Sequence, residues 1–260
     1  MGLVLTPSQG LHTLSQLGVS HRDISIGNVL LGTDPEKAAG FISDLEFSSI
    51  SEESIKAACP SDYDTVIKQL KDDGWGTVRD YPLDATLTTF SYILCAQGTV
   101  PFMSNSHLVP LSLDRSLLHR TTRSDTSDLT FQHGLCHDLE SLIWVVVYAM
   151  MVHQRNIFAQ TDSEMFELYK EELDDCWAGH AYYRILMSHD HMVMTGCSHA
   201  RALLSRWLPD PREAAFFRDA MRLIRKQDDE EPITYEAVCS LFKDHINLAK
   251  EPRPSGVVSK

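Results

Sequence analysis

The spacing of apolar positions changes along the 260-residue chain, and each change marks a different kind of element. Near the start, Leu11, Leu14 and Leu17 fall three apart, the spacing of one helix face. Thr6-Pro7 supplies an oxygen-bearing cap followed by proline in the first turn, so a helix is predicted to begin there. Gly18 is placed to stop it in the left-handed position that favours glycine. Two short apolar runs follow, at 28–31 and 40–42, separated by the turn-rich "GTDPEKAAG"; they predict a small hairpin. Residues 48–97 are polar and mixed, with one helix predicted over 62–71, capped by Ser61 and ended by Gly74. The stretch 108–134 is rich in Ser, Thr, Asp and Arg and reads as a mobile surface loop. Beyond His137 the pattern is helical throughout. Residues 138–152 are nearly all apolar and predict a helix buried on all sides. Over 164–177, Phe166, Tyr169, Leu173 and Trp177 share one face. Further helices are expected over 198–208 and 212–225, broken by "PDP", and over 235–249 behind the cap Thr234. The predicted fold class is mainly α with a small β-hairpin.

Composition narrows the setting. With 43% hydrophobic and 23% charged residues, the chain has ample material for a core. A formal net charge of -13 repels phosphate backbones, so no nucleic-acid partner is expected. The most basic stretch, 218–226, carries its charges at helical spacing and reads as a solvated face. Six scattered cysteines without a C-x-x-C fit buried thiols in a reducing compartment, so an intracellular address, cytoplasmic or nuclear, is expected. No membrane association is expected either. The apolar run 142–152 is shorter than the ~20 residues that span a bilayer. Gly2 in "MGLVLT" fits only a loose myristoylation pattern, and Thr6 has a competing role as a cap. Other constellations carry little. His189-Asp190-His191 reads as an exposed loop rather than a metal site, and His133 and His137 lack the H-E-x-x-H frame.

The chemistry concentrates in "VSHRDISIGNVLL", residues 19–31. His21, Arg22, Asp23 and Asn28 match H-R-D-x-x-x-x-N, the catalytic loop of protein kinases. In that pattern Asp23 accepts the proton of a substrate hydroxyl and Asn28 holds a metal ion on the nucleotide phosphates. Sixteen residues beyond Asn28, "FISDLEF" places Asp44 at the end of the second hairpin strand, where kinases carry the metal-binding Asp of D-F-G. An amide and carboxylates at a hairpin mouth form a hard oxygen-ligand site suited to magnesium. "GTVPFMS", from Gly98 to Ser104, is similar to the end of a kinase activation segment, where Thr99 could hydrogen-bond the catalytic Asp. "HDLESLIWVVVYAM" is similar to the central buried helix of a kinase C-lobe, with Asp138 capping the helix and binding the catalytic-loop backbone.

Together "HRDIS-x-GN", "DLE" in place of D-F-G, "GT-x-x-FM" and "HDLES" resemble the fungal protein kinase-like family often called FunK. The similarity covers residues 19–152 well and the helices to about 249 loosely. The resemblance implies a protein-kinase fold, ATP with magnesium, and phosphoryl transfer to protein serine or threonine. It makes Asp23 the general base, Asn28 and Asp44 metal ligands, and Arg22 a tether for the activation segment. Residues 1–250 would form the C-lobe, with the catalytic loop at 19–31, the activation-segment region at 44–106 and the helical part at 137–250. Residues 251–260 would be a disordered tail.

The departures from the pattern bear on activity. No G-x-G-x-x-G or lysine strand precedes the catalytic loop. Ser25 stands where Ser/Thr kinases often have lysine, Glu46 replaces the D-F-G glycine, and Ser106 lies nearest the missing A-P-E glutamate. "VLTPSQG" reads as the remnant of a hinge strand joined to the first helix. The expectation is a kinase-like C-lobe without its N-lobe, a truncated and inactive fragment as it stands. The alternatives are a stand-alone pseudokinase that binds a protein partner as a scaffold, and a small-molecule kinase of related fold.

Overall fold

The computed structural model describes residues 2–31, 40–45, 48–72, 99–106, 108, 133–177, 182–197, 207–228 and 231–250. Its centre is a long helix, α4, Leu135–Thr161, because an unbroken run of apolar side chains must bury on every side. From Asp138 to Val147 every residue of α4 is buried, and beyond that an outer face opens at Ala149. Its 27 residues exceed the length expected from the apolar run, and by length and composition it could cross a bilayer. Most of its apolar window is instead covered by the protein itself.

Around α4 pack the first helix α1, Gly2–Gln16, then α5, Ser163–Trp177, α7, Pro211–Asp228, and α8, Tyr235–Lys250. One hydrophobic core joins Leu11 of α1, Leu142 and Trp144 of α4, Phe216 of α7 and Phe242 of α8. The sixth helix, α6, Tyr182–Cys197, packs on α5 and α7. It also closes a second, smaller core with Met103 and Leu108 through Ile185 and Leu186. The predicted helices over 62–71, 164–177, 212–225 and 235–249 correspond to α3, Tyr63–Asp72, and to α5, α7 and α8. Thr234 caps α8 as expected, its Oγ1 accepting from the Ala237 N–H at 3.2 Å.

Four short strands lie between α1 and α4. β2, Val29–Leu31, pairs antiparallel with β3, Gly40–Ile42, which is the predicted hairpin. β1, Val19–Ser20, pairs with β4, Ser49–Ile50, a second ladder not anticipated. Gly18 joins α1 to β1 at φ +70, the left-handed turn expected of it. Its peptide oxygen accepts from Ser51, the cap of α2, Glu52–Ala58, whose hydroxyl caps the Ser54 N–H.

Several expectations are corrected. α1 begins at Gly2 and carries Pro7 inside it, so Thr6 is no N-cap. Its Oγ1 instead accepts from the Gly40 N–H at 2.7 Å and ties β3 to the helix. For the same reason "VLTPSQG" is helical, not a strand remnant. Leu17 lies past the helix end and is 60% exposed, so it leaves the apolar face. Residues 189–191 belong to α6, and His189 is fully buried rather than in an exposed loop. Of the cysteines, Cys239 is buried while Cys59, Cys136 and Cys197 are half-buried free thiols. Gly98, Glu46, Gly74 and the stretches 109–132, 198–206 and 251–260 lie outside the described residues.

Candidate functional site

The 21–28 loop hangs between α4 and the β2–β3 hairpin, and its shape follows from where its backbone N–H groups go. The His21 and Arg22 N–H groups donate to the two oxygens of Asp138, each at 2.9 Å. Arg22 holds φ at 73, a left-handed value that a residue with a Cβ adopts only when its surroundings impose it. Asp138 is not the cap of α4, as expected from the sequence. Gly134 occupies that position, and Asp138 sits inside the first turn. From there its carboxylate reaches the loop, and a third donor, the His133 ring, meets Oδ1 at 2.8 Å.

His21 is fully buried and bridges the loop to the strand end. Its Nδ1 accepts from the Asp23 N–H at 3.3 Å, which leaves Nε2–H to donate to the Ser43 carbonyl at 3.0 Å. Ser43 in turn donates its N–H to the Asn28 carbonyl at 2.9 Å, so Asn28 and Asp44 come to one end of the hairpin. Asp44 is left-handed as well, at φ 65, and exposed.

Asp23 is buried to 8% exposure at the meeting point. Its Oδ1 accepts from both the Thr99 N–H, at 2.7 Å, and the Thr99 hydroxyl, at 2.9 Å. Its Oδ2 accepts from Asn28 Nδ2 at 3.1 Å. Each carboxylate oxygen takes two good hydrogen bonds, so Oδ1 is filled and Oδ2 keeps one lone pair for an incoming hydroxyl. Asn28 Nδ2 also donates to the Asp23 carbonyl at 2.9 Å, so the amide nitrogen faces Asp23 and the amide oxygen faces away. That oxygen and the Asp44 carboxylate are the hard donors a magnesium ion would take, with phosphate and water completing its shell. No cluster of three or more His, Cys, Asp or Glu side chains able to hold a metal ion occurs among the described residues. Part of the activation-segment region that Arg22 is expected to tether lies outside the described residues.

Thus His21, Arg22, Asp23, Asn28, Asp44, Thr99 and Asp138 form one constellation from four parts of the chain. Its missed members are His133, seen in the sequence only as half of an absent zinc motif, and Glu140. Glu140 is fully buried in α4, where its Oε1 accepts from the Asn105 N–H at 2.8 Å and the Trp144 indole at 3.1 Å. A carboxylate inside an apolar helix run is itself a signal, because a buried charge must find donors.

A loop built around His-Arg-Asp, an Asn on the adjoining hairpin and an anchoring Asp on the central helix define a protein kinase-like domain. Residues 9–150 match the sequence profile of a family described as fungal protein kinase, more than half of the chain, and the chain belongs to that family. No curated protein and no solved structure was found to match it.

Proposed function

We propose that the chain is the C-lobe portion of a protein kinase-like domain for ATP- and magnesium-dependent phosphoryl transfer to protein serine or threonine. The observation that carries this reading is the Asp23 carboxylate, held on Oδ1 by Thr99 and on Oδ2 by Asn28 with one lone pair to spare. Asp23 would take the proton of the substrate hydroxyl as the general base. Asn28 and Asp44 would hold magnesium, which when bound offsets charge on the transferring phosphate. Leu30 and Phe41 stand opposite each other on β2 and β3 and are 48% and 58% exposed, an apolar face suited to a protein partner. The net charge of -13 argues against nucleic acid as that partner.

Catalysis of this kind is mostly positioning and electrostatics. These 260 residues contain no glycine-rich loop or lysine strand ahead of Asp23, so on their own they are expected to transfer no measurable phosphate. They are expected to bind Mn²⁺–ATP weakly, with Asp44→Ala and Asn28→Ala each removing that binding in calorimetry. Transfer from radiolabelled ATP that Asp23→Asn abolishes would show the lobe to be sufficient by itself. Wild-type protein insensitive to Mn²⁺, ATP and Mn²⁺–ATP, with Asp44→Ala equally stable, would make Asp44 structural and favour the scaffold reading.

A further inference from the structure

The stretch that carries Thr99 is fastened at its far end by a buried polar group with no part in the chemistry above. His189, in the middle of α6, is fully buried and stacks on Trp144 of α4, with ring centroids 3.7 Å apart. Its Nε2 lies 3.2 Å from the Pro101 carbonyl and its Nδ1 lies 3.0 Å from Asn105 Oδ1. Asn105 is itself buried, and its backbone N–H donates to Glu140. Between these anchors Phe102 packs edge-on to Tyr148 and against Trp177. Its N–H donates to the Thr99 carbonyl at 2.8 Å, which links the anchored end to the residue bound to Asp23.

The proton count fixes how the latch works. A neutral imidazole has one N–H, yet both ring nitrogens face oxygen acceptors, while Asn105 Nδ2 is buried with no hydrogen-bond partner. Burial pushes His189 down to about 3, so a doubly protonated ring is disfavoured. Turning the Asn105 amide by half a rotation resolves both contacts: Nδ2–H donates to His189 Nδ1, and His189 Nε2–H donates to Pro101. The exchange leaves an amide oxygen in place of the orphaned amide nitrogen.

We propose that His189, as its Nε2–H tautomer, is a positioning residue that with Asn105 and Glu140 locks residues 99–105 so that Thr99 engages Asp23. No A-P-E run follows this segment in the sequence, and a latch between α4 and α6 supplies a constraint on it. The consequence for phosphoryl transfer rests on the reading of Asp23 as general base, but the latch itself is tested without activity.

The test is amide hydrogen exchange measured residue by residue on the full chain. In His189→Leu, exchange at Thr99 and Asn105 is expected to quicken about tenfold or more, the loss of buried hydrogen bonds. Exchange at His21 and Arg22, held separately by Asp138, is expected to stay unchanged. His189→Gln offers one N–H and one oxygen in similar places and is expected to restore protection to within about twofold. Unchanged exchange at Thr99, or an equal rise at all four amides, would overturn the proposal. Should His189→Leu fail to fold, Asn105→Ala keeps the bond to Glu140 and carries the same expectation at Thr99. In ¹⁵N-histidine spectra of the wild type, His189 should show a protonated Nε2 and a bare Nδ1; the opposite tautomer or an imidazolium rules the assignment out. Loss of Asp23 as a base would change none of these readouts.

Discussion

Three donors converge on the carboxylate of Asp138: two backbone N–H groups of the loop at 2.9 Å and the His133 ring at 2.8 Å. Burial alone would push this carboxyl up, but attraction and hydrogen bonding from His133 and the two N–H groups outweigh it, and its pKa is lowered. The bonds also hold Arg22 in its left-handed conformation, which costs a residue with a Cβ roughly 1–2 kcal/mol. An asparagine fits the same space but offers one acceptor and turns an NH₂ toward a backbone N–H. Asp138→Asn is therefore expected to destabilise the fold by about 2.5–6 kcal/mol, the sum of one lost charged bond and one orphaned buried donor. Urea unfolding checks this; a change below about 0.5 kcal/mol would mean that the loop holds its shape without Asp138.

At the scale of elements, two helical glycines predict opposite outcomes for one substitution. A Cβ built on Gly10 in α1 meets nothing within 4 Å, whereas one on Gly196 in α6 lies 2.6 Å from Met221 Cβ and Cγ of α7. Gly10→Ala should stabilise by up to about 1 kcal/mol through helix propensity alone. Gly196→Ala has the same gain but forces α6 and α7 apart, at a cost of about 1–3 kcal/mol. The midpoint of thermal unfolding should rise for the first and fall for the second; two shifts of the same sign would refute the packing of α6 on α7. α6 also shows why some elements were illegible in the sequence. Its buried positions among those described, 185, 186, 189, 192, 193, 195 and 196, have helical spacing only when His189 is counted as a core residue. A histidine invites the opposite assumption, so His189-Asp190-His191 reads in the sequence as an exposed loop. The β1–β4 ladder has two residues per strand and is held by backbone alone, so no side-chain period marks it. By contrast α5, α7, α8 and the β2–β3 hairpin were legible because apolar period, caps and turn residues agree. The candidate site was legible through His21, Asp23, Asn28, Asp44, Thr99 and Asp138. Its supporting residues were not, because His133, Asn105, Glu140 and His189 meet only in three dimensions.

For the whole molecule, two histidines, half-buried His137 and fully buried His189, govern how stability changes with pH below neutrality. His137 is held down to about 4, chiefly by burial and then by repulsion from His133, and His189 to about 3 by burial. In the unfolded chain each would return to the ordinary value of 6.5. Between these values the unfolded state binds protons that the folded state refuses, so stability must fall as pH falls. Two such groups give a slope of up to about 2.7 kcal/mol per pH unit, developing below pH ~6.5. Asp138, with its lowered pKa, adds to the loss only further down, below the ordinary carboxylate range. Glu213 and Asp190 act in the opposite sense above their ordinary values, since burial raises both and the folded state then holds a proton that the unfolded chain has lost. The interval from about pH 6 to pH 5 lies between the folded and unfolded values of both histidines, and comparison with a His137 variant separates their share from that of Glu213 and Asp190. Urea unfolding across it should show wild-type stability dropping by roughly 2 kcal/mol, and His137→Gln should remove about half of that slope. A flat profile across this interval would mean that water or local opening reaches these rings in the folded state. His189 could not then be the fixed, neutral partner that its bonds to Pro101 and Asn105 require.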